Sequence, residues 1–322
     1  MNNKDCKINK IYVFLSNHLQ WLGFTVVLFA VLFAYITVLF EPKEVVLDMI
    51  YFLMFALLLT GIYFEFKNQK ETKKKIVFKL EDFLSVTFGA FLTFSLVHFF
   101  NLNVIISASS VGLLGALVLK KYQIPIYCGA FAGMVSVALF SFLEVLILSM
   151  ICSIIYTLSK TIFSGYGGKL GTIAFLSSLI VHSIFQDEFI TLQIDFNIFI
   201  LILVTTLSVL LTFYLKHILK ISSVLASSLP SLIFAVIFIY FIPNHFDYVV
   251  VFFSASFIGM SSKKRLPTLL SVILSGVILG LIYDVFLELF NGLGGKLGLM
   301  AMISVIITTA LTNLFKKKKT IK

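Results

Sequence analysis

The sequence predicts an all-α polytopic membrane protein of about twelve transmembrane segments, because apolar stretches near the length of a spanning helix follow one another along almost the whole chain. Composition agrees: hydrophobic residues are 60% of the chain, charged residues 12%, and mean hydropathy is +1.06. The longest polar stretch inside the chain, residues 67–82, is the size of a loop and too small to bury a core of its own.

Taken in order, residues 1–19 are polar and carry Lys4, Lys7 and Lys10, so they read as a cytoplasmic N-terminal segment. The apolar stretch 20–40 is long enough to span and is not followed by a small-residue cleavage site, which makes it an uncleaved anchor. With 45–66 it forms a pair of N-terminal helices, followed by a basic cytoplasmic loop at 67–81. Five helices are expected at 82–100, 104–119, 124–138, 141–163 and 171–186, and five more at 195–216, 221–242, 247–261, 266–290 and 297–315. Pro230 falls inside the second group and is expected to break its helix. Residues 316–322 close the chain as a basic cytoplasmic tail.

A pentapeptide occurs twice, as Gly167-Gly168-Lys169-Leu170-Gly171 and as Gly294-Gly295-Lys296-Leu297-Gly298. The pairs Gly133-Met134 and Gly259-Met260 precede these copies by 34 and 35 residues, so the register holds and an internal duplication follows. Five expected crossings separate Lys169 from Lys296, and an odd number puts the copies on opposite faces. The sequence therefore predicts two inverted-topology five-helix repeats, 82–186 and 195–315, with short or broken helices at matched positions.

All of the 25 basic residues except Lys43 and Lys296 fall on one side of this threading, so the basic pI near 9.4 marks the cytoplasmic face rather than a nucleic-acid partner. Short loops and this simple bias fit a bacterial inner membrane, with both termini cytoplasmic. The partners expected are the lipid bilayer and a small solute, with anions among the candidates.

Each pentapeptide opens an apolar helix. Free N–H groups, the helix dipole and the ammonium of Lys169 or Lys296 could converge on an anion, which makes Gly167, Gly168, Lys169, Gly171, Gly294, Gly295, Lys296 and Gly298 candidate solute-binding residues. The alternative is a tight interhelical turn whose glycines permit close packing and whose lysine snorkels. Gly133 and Gly259 carry the same pair of readings, cargo contact or helix packing. Charges inside apolar spans default to function, so Glu144, Asp284 and Glu288 are candidates for coupling to H⁺ or Na⁺. Asp284 and Glu288 share a helix face at four-residue spacing.

The pentapeptide lacks the spacing and the Ser or Thr of a phosphate-binding loop, and no hydrolase motif occurs, so neither an ATP-driven pump nor an enzyme is expected. Three cysteines, Cys6, Cys128 and Cys152, suggest neither a disulfide framework nor a zinc site, and no cofactor is implied. The expectation is a transporter working by alternating access. A channel of the same architecture and a non-transporting scaffold subunit are the alternatives.

Overall fold

The computed structural model describes residues 3–41, 45–70, 76–185, 189–190, 197–242 and 246–320. Among them the fold is all-helical, with twelve α-helices and a 3₁₀ turn at Lys120–Tyr122. The helices are α1 (Asn3–Phe40), α2 (Val45–Lys70), α3 (Leu80–Phe100), α4 (Val104–Leu117), α5 (Gln123–Ala132) and α6 (Phe142–Ser159). They continue with α7 (Lys169–Phe185), α8 (Ile198–His217), α9 (Ser223–Phe241), α10 (Phe246–Gly259), α11 (Leu269–Glu288) and α12 (Lys296–Thr320). Lys43, residues 71–75, the side chains of Lys4, Lys7 and Lys10 and those of the closing lysines from Lys317 onward lie outside the described residues.

Among the described residues, seven helices are long and apolar enough to cross a membrane: α1, α2, α3, α6, α8, α9 and α12. This is the make-up of an integral membrane protein. The segment expected at 124–138 departs most from expectation. Helix α5 has 10 residues, a rise of about 15 Å and half the thickness of a bilayer core. It stops at Gly133, which packs so closely on the Ala90 backbone of α3 that a side chain would not fit. Pro230 does not break α9, which runs through it as one helix. Removing one backbone donor is tolerated there because neighbours hold the helix before the proline, where Ser227 bonds Tyr127 and Ser256, and after it, where Phe234 stacks on Phe252.

Local signals set the helix ends in matched pairs. Leu102 N–H donates to Leu96 O (3.4 Å) after α3, and Ile221 N–H to Leu215 O (3.2 Å) after α8, with Asn101 and Lys220 in the left-handed region at φ 49° and 55°. Asn103 caps α4 through Ile105 N–H, and Ser222 caps α9 through Leu225 N–H. Ser141 with Glu144 and Thr268 with Ser271 form capping boxes at the starts of α6 and α11.

Packing recurs in the same way. Helix α3 lies against α5 and α6, as α8 lies against α10 and α11; α7 lies against α5 and α6, as α12 lies against α10 and α11. Across the two halves α4 meets α9 and α7 meets α12. The pair α1–α2 stands outside this pattern and touches both halves. Gly23 of α1 rests on the Leu158 carbonyl of α6, and Gly61 of α2 rests on Ile306 of α12.

Candidate functional site

The two pentapeptides meet each other. They begin α7 and α12, and these helices cross where Gly171 and Gly298 face each other: a methyl carbon added to either would lie 2.6 Å from the Cα of the other. Gly168 and Gly295 adopt φ of 82° and 84°, a conformation open to glycine at no steric cost. A side chain on Gly168 would strike the Gly298 carbonyl, and one on Gly295 would strike the Gly171 carbonyl. The glycines therefore let two helix starts approach until backbone touches backbone.

Each pentapeptide is also held by the short helix of the other half. Gly167 abuts the Phe257 carbonyl of α10, and Gly294 abuts the Phe131 carbonyl of α5. Just upstream, Ser262 N–H donates to Gly165 O and Ser136 N–H to Gly292 O, both at 2.9 Å. Within each half, Cys128 Sγ donates to Leu170 O (3.5 Å) and Ser254 Oγ to Leu297 O (2.9 Å).

Both lysines turn inward instead of reaching the surface. Lys169 Nζ donates to the carbonyls of Ser159 (2.7 Å), Lys160 (3.2 Å) and Ile162 (2.8 Å). Lys296 Nζ donates to Leu289 O (2.7 Å) and Asn291 Oδ1 (2.5 Å). Each ammonium thus supplies donors and positive charge to the C-terminal end of the preceding helix, α6 or α11, whose last carbonyls lack intrahelical partners.

Two cavities flank this crossing. The first, of about 300 Å³, is lined by Gly167, Gly168, Lys169 and Leu170 of the first pentapeptide with Ser164, Tyr156, Tyr166, Lys160, Lys216, Ser223 and Met260. The second, of about 210 Å³, is lined by Gly295, Lys296, Leu297 and Gly298 of the other pentapeptide with Asn291, Val104, Val250 and Met134. Phe131 and Phe257 line both. Their rings touch, centroids 4.6 Å apart, and both residues are buried. An aromatic pair therefore separates two chambers, each walled by one copy of the pentapeptide.

Among the described residues no carboxylate lines either chamber, although three lysines line the first. Lys160 pairs with Asp82 at 2.7 Å. Lys216 Nζ donates to the Met260 and Ser261 carbonyls, and neither it nor Lys169 has a described carboxylate within 4.0 Å.

The remaining sequence candidates lie elsewhere. Gly133 and Gly259 face away from the chambers, against Ala90 and Thr212, whereas their neighbours Met134 and Met260 line them. Gly171 contributes to the crossing and Gly294 to the seat on α5; Gly171 does not line the first chamber, nor Gly294 the second. Glu144 stands in the first turn of α6, its carboxylate accepting Ser141 N–H at 2.5 Å. Glu288 is exposed at the end of α11, and the side chain of Asp284 lies outside the described residues. No described group of three or more His, Cys, Asp or Glu could hold a metal ion.

Sequence reasoning missed Glu65. Its carboxylate is buried and accepts both Arg265 Nη1 (2.7 Å) and Nη2 (2.9 Å). The available signal was Arg265 itself, the single arginine among 25 basic residues, since arginine suits buried two-point pairing.

The chain is thus an all-helical integral membrane protein built around two paired chambers. Comparison with protein-family models, curated proteins and solved structures returns no match.

Proposed function

We propose that this protein carries a small solute across the membrane by alternating access, and that 82–186 and 195–315 are inverted five-helix repeats whose exchange of conformation opens the two chambers in turn. The observation that supports this most is the pair of chambers separated by Phe131 and Phe257. A barrier between two vestibules is what a carrier needs, whereas a channel needs a continuous path. The recurrence of caps, left-handed residues and docking hydrogen bonds in both halves supports the duplication.

An anionic solute fits the first chamber best. Lys169 and Lys216 bring positive charge to a wall without carboxylates, and an anion in that low-dielectric space would supply the counter-charge. The basic residues orient this chamber toward the cytoplasm. In the same reading Asp284 and Glu288, on one helix, are the candidates for H⁺ or Na⁺ coupling.

The test is uptake of small anions, amino acids and neutral solutes into proteoliposomes under imposed H⁺ or Na⁺ gradients, for the parent and for Met260→Trp and Met134→Trp. These substitutions fill one chamber each and remove no hydrogen-bonding side chain. Saturable uptake that either substitution blocks is the expected result. Uptake indifferent to both would sink the proposal, and flux that never saturates would point to a channel.

A further inference from the structure

The two chambers are bordered by different chemistry. Behind Ser164, Gly165 and Tyr166, which line the first, Arg265 packs beside Gly165, stacks on the Tyr166 ring (4.0 Å) and donates to Ser164 O (3.1 Å), Tyr166 Oη (3.2 Å) and both oxygens of Glu65. At the corresponding place over the second, Leu139 packs on Gly292, and Leu293 stands where Tyr166 stands. One lid is ionic and the other apolar.

The ionic lid also joins three parts of the chain. Glu65 belongs to α2, outside both halves; Tyr166 and Ser164 belong to the turn before the first pentapeptide; Arg265 lies in the link between α10 and α11. The Arg265 and Glu65 side chains are 8% and 3% exposed, so the pair is shielded from water and from salt. A packing role alone is met by aliphatic side chains, as Leu139 and Leu293 show on the other side. A two-point ion pair is all-or-none in its geometry, which suits a contact that is either made or broken.

We propose that Glu65, Arg265 and Tyr166 form a latch that closes the first chamber, and that α2 supplies its carboxylate, so that the N-terminal helix pair sets which chamber opens. The proposal rests on the first chamber's being part of a solute path.

Cysteine labelling tests it without any cargo. In a background with Cys6, Cys128 and Cys152 changed to Ser, Leu170→Cys reports on the first chamber and Met134→Cys on the second, with 2-sulfonatoethyl methanethiosulfonate as the probe. Glu65→Gln is expected to raise labelling at Leu170→Cys by about tenfold or more, with no rise at Met134→Cys. The exchange Glu65→Arg with Arg265→Glu is expected to restore the slow rate. An unchanged rate in Glu65→Gln that unfolds at the parent's temperature overturns the latch, and so does an equal rise at both reporters, which marks general loosening. If Glu65→Gln does not fold, Tyr166→Phe decides: it deletes only the hydroxyl, and faster labelling supports the latch while an unchanged rate overturns it. Labelling that behaves as expected, with no flux of any solute, would count against transport and leave the latch standing.

Discussion

Phe131 and Phe257, 126 positions apart, place their ring centroids 4.6 Å from each other at the boundary of two chambers. Each sits on a short helix whose backbone also receives a glycine of the opposite pentapeptide. The aromatic barrier and the glycine crossing are therefore one assembly, and disturbing either is felt by the other.

Truncating the barrier should open a leak. Phe131→Ala or Phe257→Ala removes a buried ring at a cost of about 3–5 kcal/mol. In a preparation that still folds, the two chambers merge. Chloride or acetate efflux from proteoliposomes should rise above that of the parent and lose saturation; efflux equal to the parent would show that the rings do not separate the chambers.

Gly168→Ala should be far costlier than Gly115→Ala. The first forces a side chain onto a left-handed residue and into the Gly298 carbonyl, while the second meets the Cγ2 methyl of Ile126 at 3.3 Å and the Gln123 Cα at 3.5 Å. Overpacking and backbone strain together predict a loss of about 2–4 kcal/mol at Gly168 and under about 1 kcal/mol at Gly115. Thermal unfolding in detergent compares the two directly.

Lys169→Met keeps the length of the side chain and deletes its ammonium, leaving the carbonyls of Ser159, Lys160 and Ile162 without that donor. A stability loss of about 1–3 kcal/mol is expected, since bonds to a charged donor are the stronger kind, although Ser159 O keeps the Ile162 N–H. An unchanged unfolding temperature would mean that the end of α6 does not depend on the lysine.

Cys128 and Ser254 occupy matching places and donate to matching carbonyls, Leu170 O and Leu297 O. Cys128→Ser is therefore expected to be tolerated within about 1 kcal/mol, while Ser254→Ala, which leaves Leu297 O without its hydroxyl donor, loses about 1 kcal/mol or more. Unfolding curves of the two variants check the pairing.

Much of the helical layout was legible because the apolar runs are long and their punctuation is chemical. The start of α3 and the Asn103 and Ser222 caps fall close to where composition changes. The end of α5 was not legible, because it depends on how near Ala90 comes to Gly133, a contact between residues 43 apart. The repeated pentapeptide was visible, but the partners of its lysines were not. A lysine that opens a helix looks the same in sequence whether its ammonium faces a solute or the carbonyls of the preceding helix. The Glu65–Arg265 pair joins positions 200 residues apart with no periodicity to announce it.

The meeting of Gly171 with Gly298 gives a reason why the two pentapeptides are spelled alike. Each copy is the surface against which the other is shaped, so a change in one has to be accommodated by its twin across the crossing. A ligand could be recognised by two differently spelled segments, whereas a backbone pressed against its own counterpart leaves neither copy free to drift alone.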